Sequence, residues 1–484
     1  MKRLLPLLVI LLLSVGTNAQ QAAQSFTLEQ CIEYALQNSI NVQNNVLDKQ
    51  IAAAKVRETI GIGLPQISAS ASVVHNQKLP RFFSAYGVAQ GFAGKDDNGN
   101  PNLDIPGLNP TDIVASQNFF QLKSSGNLGL SINQLIFNGS YLVGLKATSV
   151  YKDLAVKQGN QTKQEIIQQV MKAYYGVLIN KERITLFANN VARVDSLLRN
   201  TKALNQNGFA EGIDVDRIRV TLNNLLAERN KFLNLNELGL ELLKFQMNYP
   251  MEKPIDVLGN INEVQVDTNL EQYKENWDYK IRPDYQVLET NRKLQELNVK
   301  NQQAAFMPTL NAFASVGYTT QSPNVLGVFK TNTNFTDNGK VGPDMWYNFS
   351  QFGISLGVPI FSGMQRHYKL QQEKLNLLKV ENGFRSLKNG IDLEIKQSSI
   401  VFENAVTTLQ AQRENMELAA NVARITKIKY EQGVGSNMEV IDAENSLRQA
   451  QTNYYGAMFE AMVAKVDLDK AYGKLLPTLT TNSK

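Results

Sequence analysis

Along much of the chain, apolar residues return every seven positions. Val170, Val177, Ile184, Val191 and Leu198 keep this rhythm in one stretch, and Ile395, Phe402, Leu409, Met416, Ala423 and Tyr430 keep it in another. Val440, Leu447, Tyr454, Ala461 and Leu468 continue it. A sustained seven-residue period holds one stripe against a partner and makes helices supercoil left-handedly. The first run predicts a continuous helix from Gly139 to about Asn205. At 1.5 Å per residue such a helix is on the order of 100 Å long, far more than a globular core can use.

Between the helical stretches the period drops to two, the mark of a strand with two unlike faces. Ile67, Ala69, Ala71 and Val73 alternate with Ser68, Ser70 and Ser72. Leu128, Leu130 and Ile132 alternate with Asn127, Gly129, Ser131 and Asn133. Leu310, Ala312, Ala314, Val316 and Tyr318 are set against Asn311, Ser315 and Thr319, and Phe352, Ile354, Leu356, Val358 and Ile360 against Gln351, Gly353, Ser355 and Gly357. These predict strands at about 66–75, 126–136, 309–320 and 350–360. A soluble sandwich also alternates, but it needs more strands to build a core. One apolar face and one small-polar face suit a barrel wall between lipid and a watery lumen. The smallest spanning barrels use eight strands, and open edges are not tolerated in lipid. A chain with four strands is therefore expected to oligomerise and share its barrel.

The pattern is written twice. Leu64-Pro65-Gln66-Ile67-Ser68-Ala69 is echoed by Met307-Pro308-Thr309-Leu310-Asn311-Ala312, and Leu135-Ile136-Phe137-Asn138-Gly139 by Pro359-Ile360-Phe361-Ser362-Gly363. Asn207-Gly208-Phe209-Ala210-Glu211-Gly212-Ile213-Asp214-Val215 aligns with Gln432-Gly433-Val434-Gly435-Ser436-Asn437-Met438-Glu439-Val440. Three matches in the same order mean a duplicated unit. Each copy reads as helix, strand, loop, strand, very long helix, turn and returning helix. The first repeat occupies 20–247, a linker 248–269, the second repeat 270–472 and a tail 473–484. Pro65 and Pro308 stand where helix yields to strand, as proline's missing N–H and its effect on the preceding residue require. Asn138 and Ser362, each followed by a glycine (Gly139, Gly363), occupy helix N-cap positions. Pro250 and Pro254 stop the helix that ends near Met247.

The long loops 76–123 and 321–348 join strands of one hairpin, and in outer-membrane barrels the longer loops face outward. Phe119, Phe120, Trp346, Tyr347 and Phe349 near the strand ends form either an interfacial aromatic girdle or simple loop packing.

Composition narrows the function. Met1-Lys2-Arg3, the apolar run Leu4–Val15 and small residues up to Ala19 describe a cleaved signal peptide at 1–19. That run is shorter than the roughly 20 residues of a spanning helix. Loss of Lys2 and Arg3 lowers the formal charge of +5 to +3. Such a nearly neutral chain lacks the concentrated basic face of a nucleic-acid binder. The single cysteine, Cys31, lies inside a helical pattern well past the cut, so neither an internal disulfide nor a lipid anchor is expected. One cysteine and two histidines, His75 and His367, leave little for a zinc site or a Cys-His nucleophile. No catalytic residue, metal site or cofactor is predicted. A periplasmic coiled-coil adaptor would share the helical hairpins but not the four lipid-type strands, and a paired-carboxylate enzyme is a more distant alternative.

Together these residues resemble the outer-membrane efflux protein family whose type member is TolC. The likeness covers essentially the whole mature chain. It includes the Thr27-Leu28-Glu29-Gln30 opening, the two proline junctions, the Ile-Phe-Asn/Ser-Gly junctions and the tip Tyr430-Glu431-Gln432-Gly433-Val434-Gly435-Ser436-Asn437-Met438-Glu439-Val440-Ile441-Asp442. The resemblance implies a mainly α fold with a transmembrane β portion: a coiled-coil helical tunnel and a β-barrel shared by a homotrimer. It implies an outer-membrane exit duct for efflux or type I secretion, a periplasmic adaptor and an inner-membrane pump as partners, and no catalytic centre. The family's aperture carboxylates fall on Glu439 and Asp442, one helical turn apart. Its tip arginine, a tether of the closed gate, falls on Gly435, which cannot serve that role. Tyr430 matches a tip tyrosine and is equally the last heptad residue. Gly208, Gly212, Asp214, Gly433 and Gly435 mark the tip turns, where an adaptor would make contact. Asp214 and Asp216 also fit the general preference for acids at a helix start.

Overall fold

A computed structural model describes residues 24–94, 96–97, 99, 103–116, 118, 121–259, 261, 270–275, 277–330, 333–334 and 344–476. The expected leader at 1–19 lies outside them, as do Phe119 and Phe120. The elements in chain order are β1 (Gln24–Phe26), α1 (Leu28–Asn38), α2 (Ile40–Ile62), β2 (Gln66–His75), β3 (Phe82–Ala85), α3 (Tyr86–Ala93), β4 (Ile113–Ser116), β5 (Ser124–Asn138), α4 (Gly139–Gln206) and α5 (Gly212–Met247). They continue with β6 (Ile255–Val257), α6 (Glu271–Lys274), a 3-10 turn (Tyr279–Ile281), α7 (Pro283–Ala304), β7 (Thr309–Ser322), α8 (Val325–Val328), β8 (Thr333–Asn334), β9 (Trp346–Gly357), α9 (Gln365–Glu431) and α10 (Asn437–Ala471). No described helix is long and apolar enough to cross a membrane. The chain forms two compact units, one from 54–148 with 297–374 and one from 1–53, 149–296 and 375–484.

The unit from 54–148 and 297–374 is built on an antiparallel sheet in the order β2-β5-β7-β9, with the two-residue β8 added parallel to β9. The register sorts the faces. Ile67, Ile132, Ala314 and Phe352 form one cross-strand row, and Ala69, Leu130, Val316 and Ser350 the next on the same side. Ser68, Ser131, Ser315 and Gln351 form a row on the other side. Alternation along each strand thus becomes an apolar face and a small-polar face across the sheet. Large apolar side chains of the first face, Ile67, Leu130, Val316, Phe352 and Ile354 among them, stand exposed in the protomer.

The ladder corrects several expectations. The last strand is Trp346–Gly357 rather than 350–360. Gly357 pairs with Thr309, the first residue after Pro308, so Val358 and Ile360 have no ladder to join. The second and third strands run further than 126–136 and 309–320, to Ser124–Asn138 and Thr309–Ser322. A bulge between Leu135 and Phe137 sets Phe137 opposite Leu310. Tyr347 and Phe349 do not share a face with Trp346. Trp346 is in register with Thr320, Gly126 and Val73 on the apolar side, whereas Phe349 faces Gly317 and Gly129 on the other. There its ring lies 3.0 and 3.6 Å from where a Cβ on Gly317 or Gly129 would sit, so it covers both glycines. The loops are not structureless: the first holds the β3–β4 hairpin and α3, the second α8 and β8.

The two strand-to-helix junctions differ. Asn138 caps α4, its Oδ1 accepting from the Tyr141 N–H at 3.0 Å. A Cβ on Gly139 would come 2.8 Å from the Met307 sulfur and 3.1 Å from the Ala304 carbonyl oxygen, so glycine lets the end of α7 approach. Ser362 does not cap α9, which starts at Gln365. Gly363 (φ 60°) and Met364 (φ 63°) are both left-handed, and a helix cannot begin until the chain leaves that region.

In the other unit, Thr27 opens α1 with a capping box to Gln30. The stretch 248–269 is more than a linker, since its β6 pairs in parallel with β1. Helix α4 packs on α5 through Phe187 and Phe232, whose ring centroids lie 5.2 Å apart. Its other side meets α10 through Asn190 to Gln451 (3.0 Å), Arg193 to Glu444 (3.1 Å) and Lys172 to Asp467 (2.6 Å). Helix α10 meets α9 around Ala423, Ala443 and Leu447 and around Phe402 and Leu468. Above the tip the packing order is therefore α5-α4-α10-α9, while at the tip α10 also meets α5, Ile441 clustering with Val215 and Ile218. The inward stripe of α9 follows the predicted heptad: Phe402 and Ala423 are buried, and Ile395, Leu409, Met416 and Tyr430 are half-buried.

Cys31 is fully buried in the cluster that contains Ala35, Val170 and Tyr174. Burial, aided by the nearby Glu29 charge, pushes its thiol up to about 12. A free cysteine ionises near about 8.5, so at mildly alkaline pH the folded thiol stays protonated and the unfolded one does not. Alkylation under those conditions should require denaturant. Rapid labelling of the native protein, read by intact mass, would contradict this packing.

Candidate functional site

The tip joins two helix-turn-helix connections. Helix α4 ends at Gln206 and α5 starts at Gly212, while α9 ends at Glu431 and α10 starts at Asn437. Both turns use a left-handed glycine, Gly208 (φ 78°) and Gly433 (φ 73°), placed where a helix must reverse. The turns are further tied by side chains. Asn205 Nδ2 donates to the Ala210 carbonyl at 2.8 Å, and Ser436 Oγ accepts from the Glu439 N–H at 3.2 Å as the cap of α10. Asn437 is buried and its Nδ2 donates across to the Asp214 carbonyl at 3.4 Å.

Gly435 is fixed by space. A Cβ there would lie 3.0 Å from the Tyr430 nitrogen and 3.1 Å from Lys429 Cβ. The chain after α9 folds back so closely that any side chain, arginine included, would require its neighbours to give by a few tenths of an ångström. Tyr430 is half-buried, and its hydroxyl lies 3.4 Å from Thr201 Oγ1 across to α4.

Glu439 and Asp442 are both exposed in the first turns of α10. Asp442 lines an open groove of about 350 Å³ between the starts of α5 and α10, with Ile213, Asp216, Val220, Met438 and Ile441. Glu439 is outside that lining. Asp214 reaches Arg217 at 3.8 Å and Asp216 reaches Arg219 at 3.3 Å, each three residues on in the same helix. The tip thus presents carboxylates beside exposed Ile213, Val220 and Met438.

Sequence patterns missed the polar clasp above the tip. Arg193 bonds both Asn190 (2.7 Å) and Glu444 (3.1 Å), and Asn190 donates to Gln451. Its members lie about 250 positions apart in the chain, beyond any local spacing rule, and only polar residues interrupting a heptad stripe hinted at it.

Residues 280–474 match the family described as outer membrane efflux protein. The probable efflux pump outer membrane protein TtgC of Pseudomonas putida KT2440 is 23% identical over 367 residues, covering 72% of this chain and 69% of that protein. Outer membrane protein TolC of Escherichia coli K12 is 20% identical over 495 residues, covering 98% of this chain and 87% of that one. The structure of a membrane protein from Pseudomonas aeruginosa matches with a TM-score of 0.68 at 16% identity, over 92% of each chain. The open MtrE outer membrane channel of Neisseria gonorrhoeae matches with a TM-score of 0.67 at 17% identity, over 93% of this chain and 89% of that one. The chain therefore shares the fold of these outer-membrane channels, with the duplicated strand–helix plan and the two tip turns in the same order, and over residues 280–474 it matches the outer membrane efflux protein family.

Proposed function

We propose that the chain is one of three identical subunits of an outer-membrane efflux duct, with the sheet in the membrane and the helices in the periplasm. One observation carries the reading: a four-strand antiparallel sheet with a continuous exposed apolar face and a small-polar reverse. In water that face is costly; in lipid it is solvated. Among the described residues β2 pairs only with β5, so its other edge needs a strand from another copy. The helices carry the same demand. Leu235, Leu238, Leu242 and Phe245 on α5, and Leu393, Ile400, Leu418, Val422 and Ile425 on α9, are exposed apolar stripes on the two flanking helices. Joining α5 of one copy to α9 of the next closes a ring.

The relatives named for efflux pumps support a duct fed by an inner-membrane pump, and we assign the tip turns and their groove to the periplasmic adaptor that would link the two. We read the chain as a conduit rather than an enzyme. Detergent-extracted protein should have the mass of three subunits and conduct ions across a planar bilayer. A monomer without conductance would end this reading.

The carboxylates Glu439 and Asp442 follow from it as a cation-attracting ring, six charges around one axis. Like charges that close are costly unless hydrated, protonated or cation-bound, and Asp/Glu rings favour cations in channels. Glu439→Ala with Asp442→Ala should weaken cation preference and abolish block by multivalent cations added from the helical side. Unchanged selectivity and block in a correctly assembled trimer would reduce both acids to helix-start residues that favour the dipole.

A further inference from the structure

We propose that α8 is an interfacial anchor, seated in the outer leaflet of the membrane with its apolar side chains among the acyl chains just below the headgroups. The inference rests on the reading of the sheet as a barrel wall. It starts from the cross-strand row Val73, Gly126, Thr320 and Trp346, which lies on the apolar face at the strand ends farthest from the attached helices. Helix α8 lies directly on that row. A Cβ on Gly126 would come 2.7 Å from Val328 Cγ1 and 2.9 Å from Trp346, so the strand is bare there to admit the helix. Val328 is buried beneath it, and the Trp346 indole N–H donates to the Val328 carbonyl at 3.1 Å.

With Val328 turned in, Leu326 and Phe329 turn out and are 81% and 66% exposed. They add to the exposed apolar band of Ile67, Leu128, Val316 and Ile354 at its end near Trp346. The next residue, Lys330, is paired with Asp344 at 2.7 Å, so charge begins where the apolar run ends. A tryptophan at the rim, an apolar step beneath it and an ion pair above are what the membrane–water boundary solvates well. The occupant is lipid rather than another copy because α8 packs on β5 and β7, the two central strands, rather than along the outer edges of β2 and β9 where copies join.

The test uses the full-length channel with Cys31→Ala and one added cysteine, either Leu326→Cys, Phe329→Cys or Ile354→Cys, labelled with bimane in proteoliposomes. Lipids brominated at shallow or mid-chain positions report acyl contact, and aqueous iodide reports water. Ile354→Cys is the reference for the wall. Quenching of the Leu326 and Phe329 labels by shallow bromines and not by iodide, with mid-chain quenching at Ile354, is the expected result. Iodide quenching at Leu326 and Phe329 with the Ile354 label still in lipid overturns the anchor and leaves the barrel intact. Protection from both quenchers at Leu326 and Phe329 also overturns it, because another protein surface then covers α8. Iodide quenching at Ile354 removes the barrel reading itself.

Discussion

A chain carrying Leu418→Glu and Ile425→Glu is expected to fold as a protomer and to lose assembly. Both side chains lie on the exposed α9 stripe, 66% and 42% exposed in the protomer. Neither belongs to the inward stripe of Phe402, Leu409, Met416 and Ala423 that joins α9 to the rest of the chain. Protomer stability therefore changes little, as surface substitutions usually do. Between copies the balance reverses. Each large aliphatic side chain gains about 1.5–3 kcal/mol on full burial, and a glutamate in its place adds the cost of desolvating a charge. Two such sites in every seam remove several kcal/mol per interface, repeated around a closed ring. Light scattering on detergent-extracted protein, with circular dichroism for helix content, decides it. A wild-type mass at unchanged helix content would mean that α9 is not a subunit seam.

The second large effect is expected at Arg282, which locks the start of the second repeat onto the long helices. Its side chain is 7% exposed. Nε and Nη2 donate to Asp284 at 3.0 and 2.8 Å, and Nη1 reaches Glu394 on α9 at 2.7 Å and donates to the Ala471 carbonyl of α10 at 2.9 Å. Burial alone pulls the guanidinium down, but Asp284 and Glu394 together outweigh it and hold it above its ordinary value. Arg282→Met keeps the aliphatic stem and removes the charge, stranding two carboxylates and a carbonyl. Breaking a buried pair costs about 3–5 kcal/mol; because both acids here keep some exposure, about 2–3 kcal/mol is expected. Arg282→Lys should recover only part of this, since an ammonium cannot make the forked contact with Asp284. Chemical denaturation of the detergent-solubilised protein measures both. Equal midpoints for wild type and Arg282→Met would show that the cluster stabilises nothing.

The strands and long helices were legible because each is written in a period that one face of a regular element must obey. The β2 alternation reappears in the cross-strand rows, and the α9 heptad in an inward stripe whose members are buried or half-buried. Where a partner distant in sequence sets the outcome, periodicity fails. Val358 and Ile360 continue the alternation of β9 in sequence, yet the ladder ends at Gly357 because β7 has no residue beyond Thr309 to offer it. Ser362 looks like Asn138, yet two left-handed residues follow it and only Asn138 caps a helix. The β1–β6 pair is three residues long and leaves almost no periodic trace.

What the sequence by itself determined is the set of faces: which residues of each helix and strand must leave water, and hence that one protomer cannot satisfy them alone. Hydrophobic period is a local property, so it survives without knowledge of the fold. Only the tertiary structure decided which faces meet. It set the order α5-α4-α10-α9 by pairing Arg193 with Glu444 and Asn190 with Gln451, and left α5 and α9 as the flanks. It split Trp346 from Phe349 onto opposite sides of the sheet, and it left only tight space at Gly435. These outcomes depend on contacts between residues far apart in the chain, and the geometry of such contacts exists only once the chain has folded.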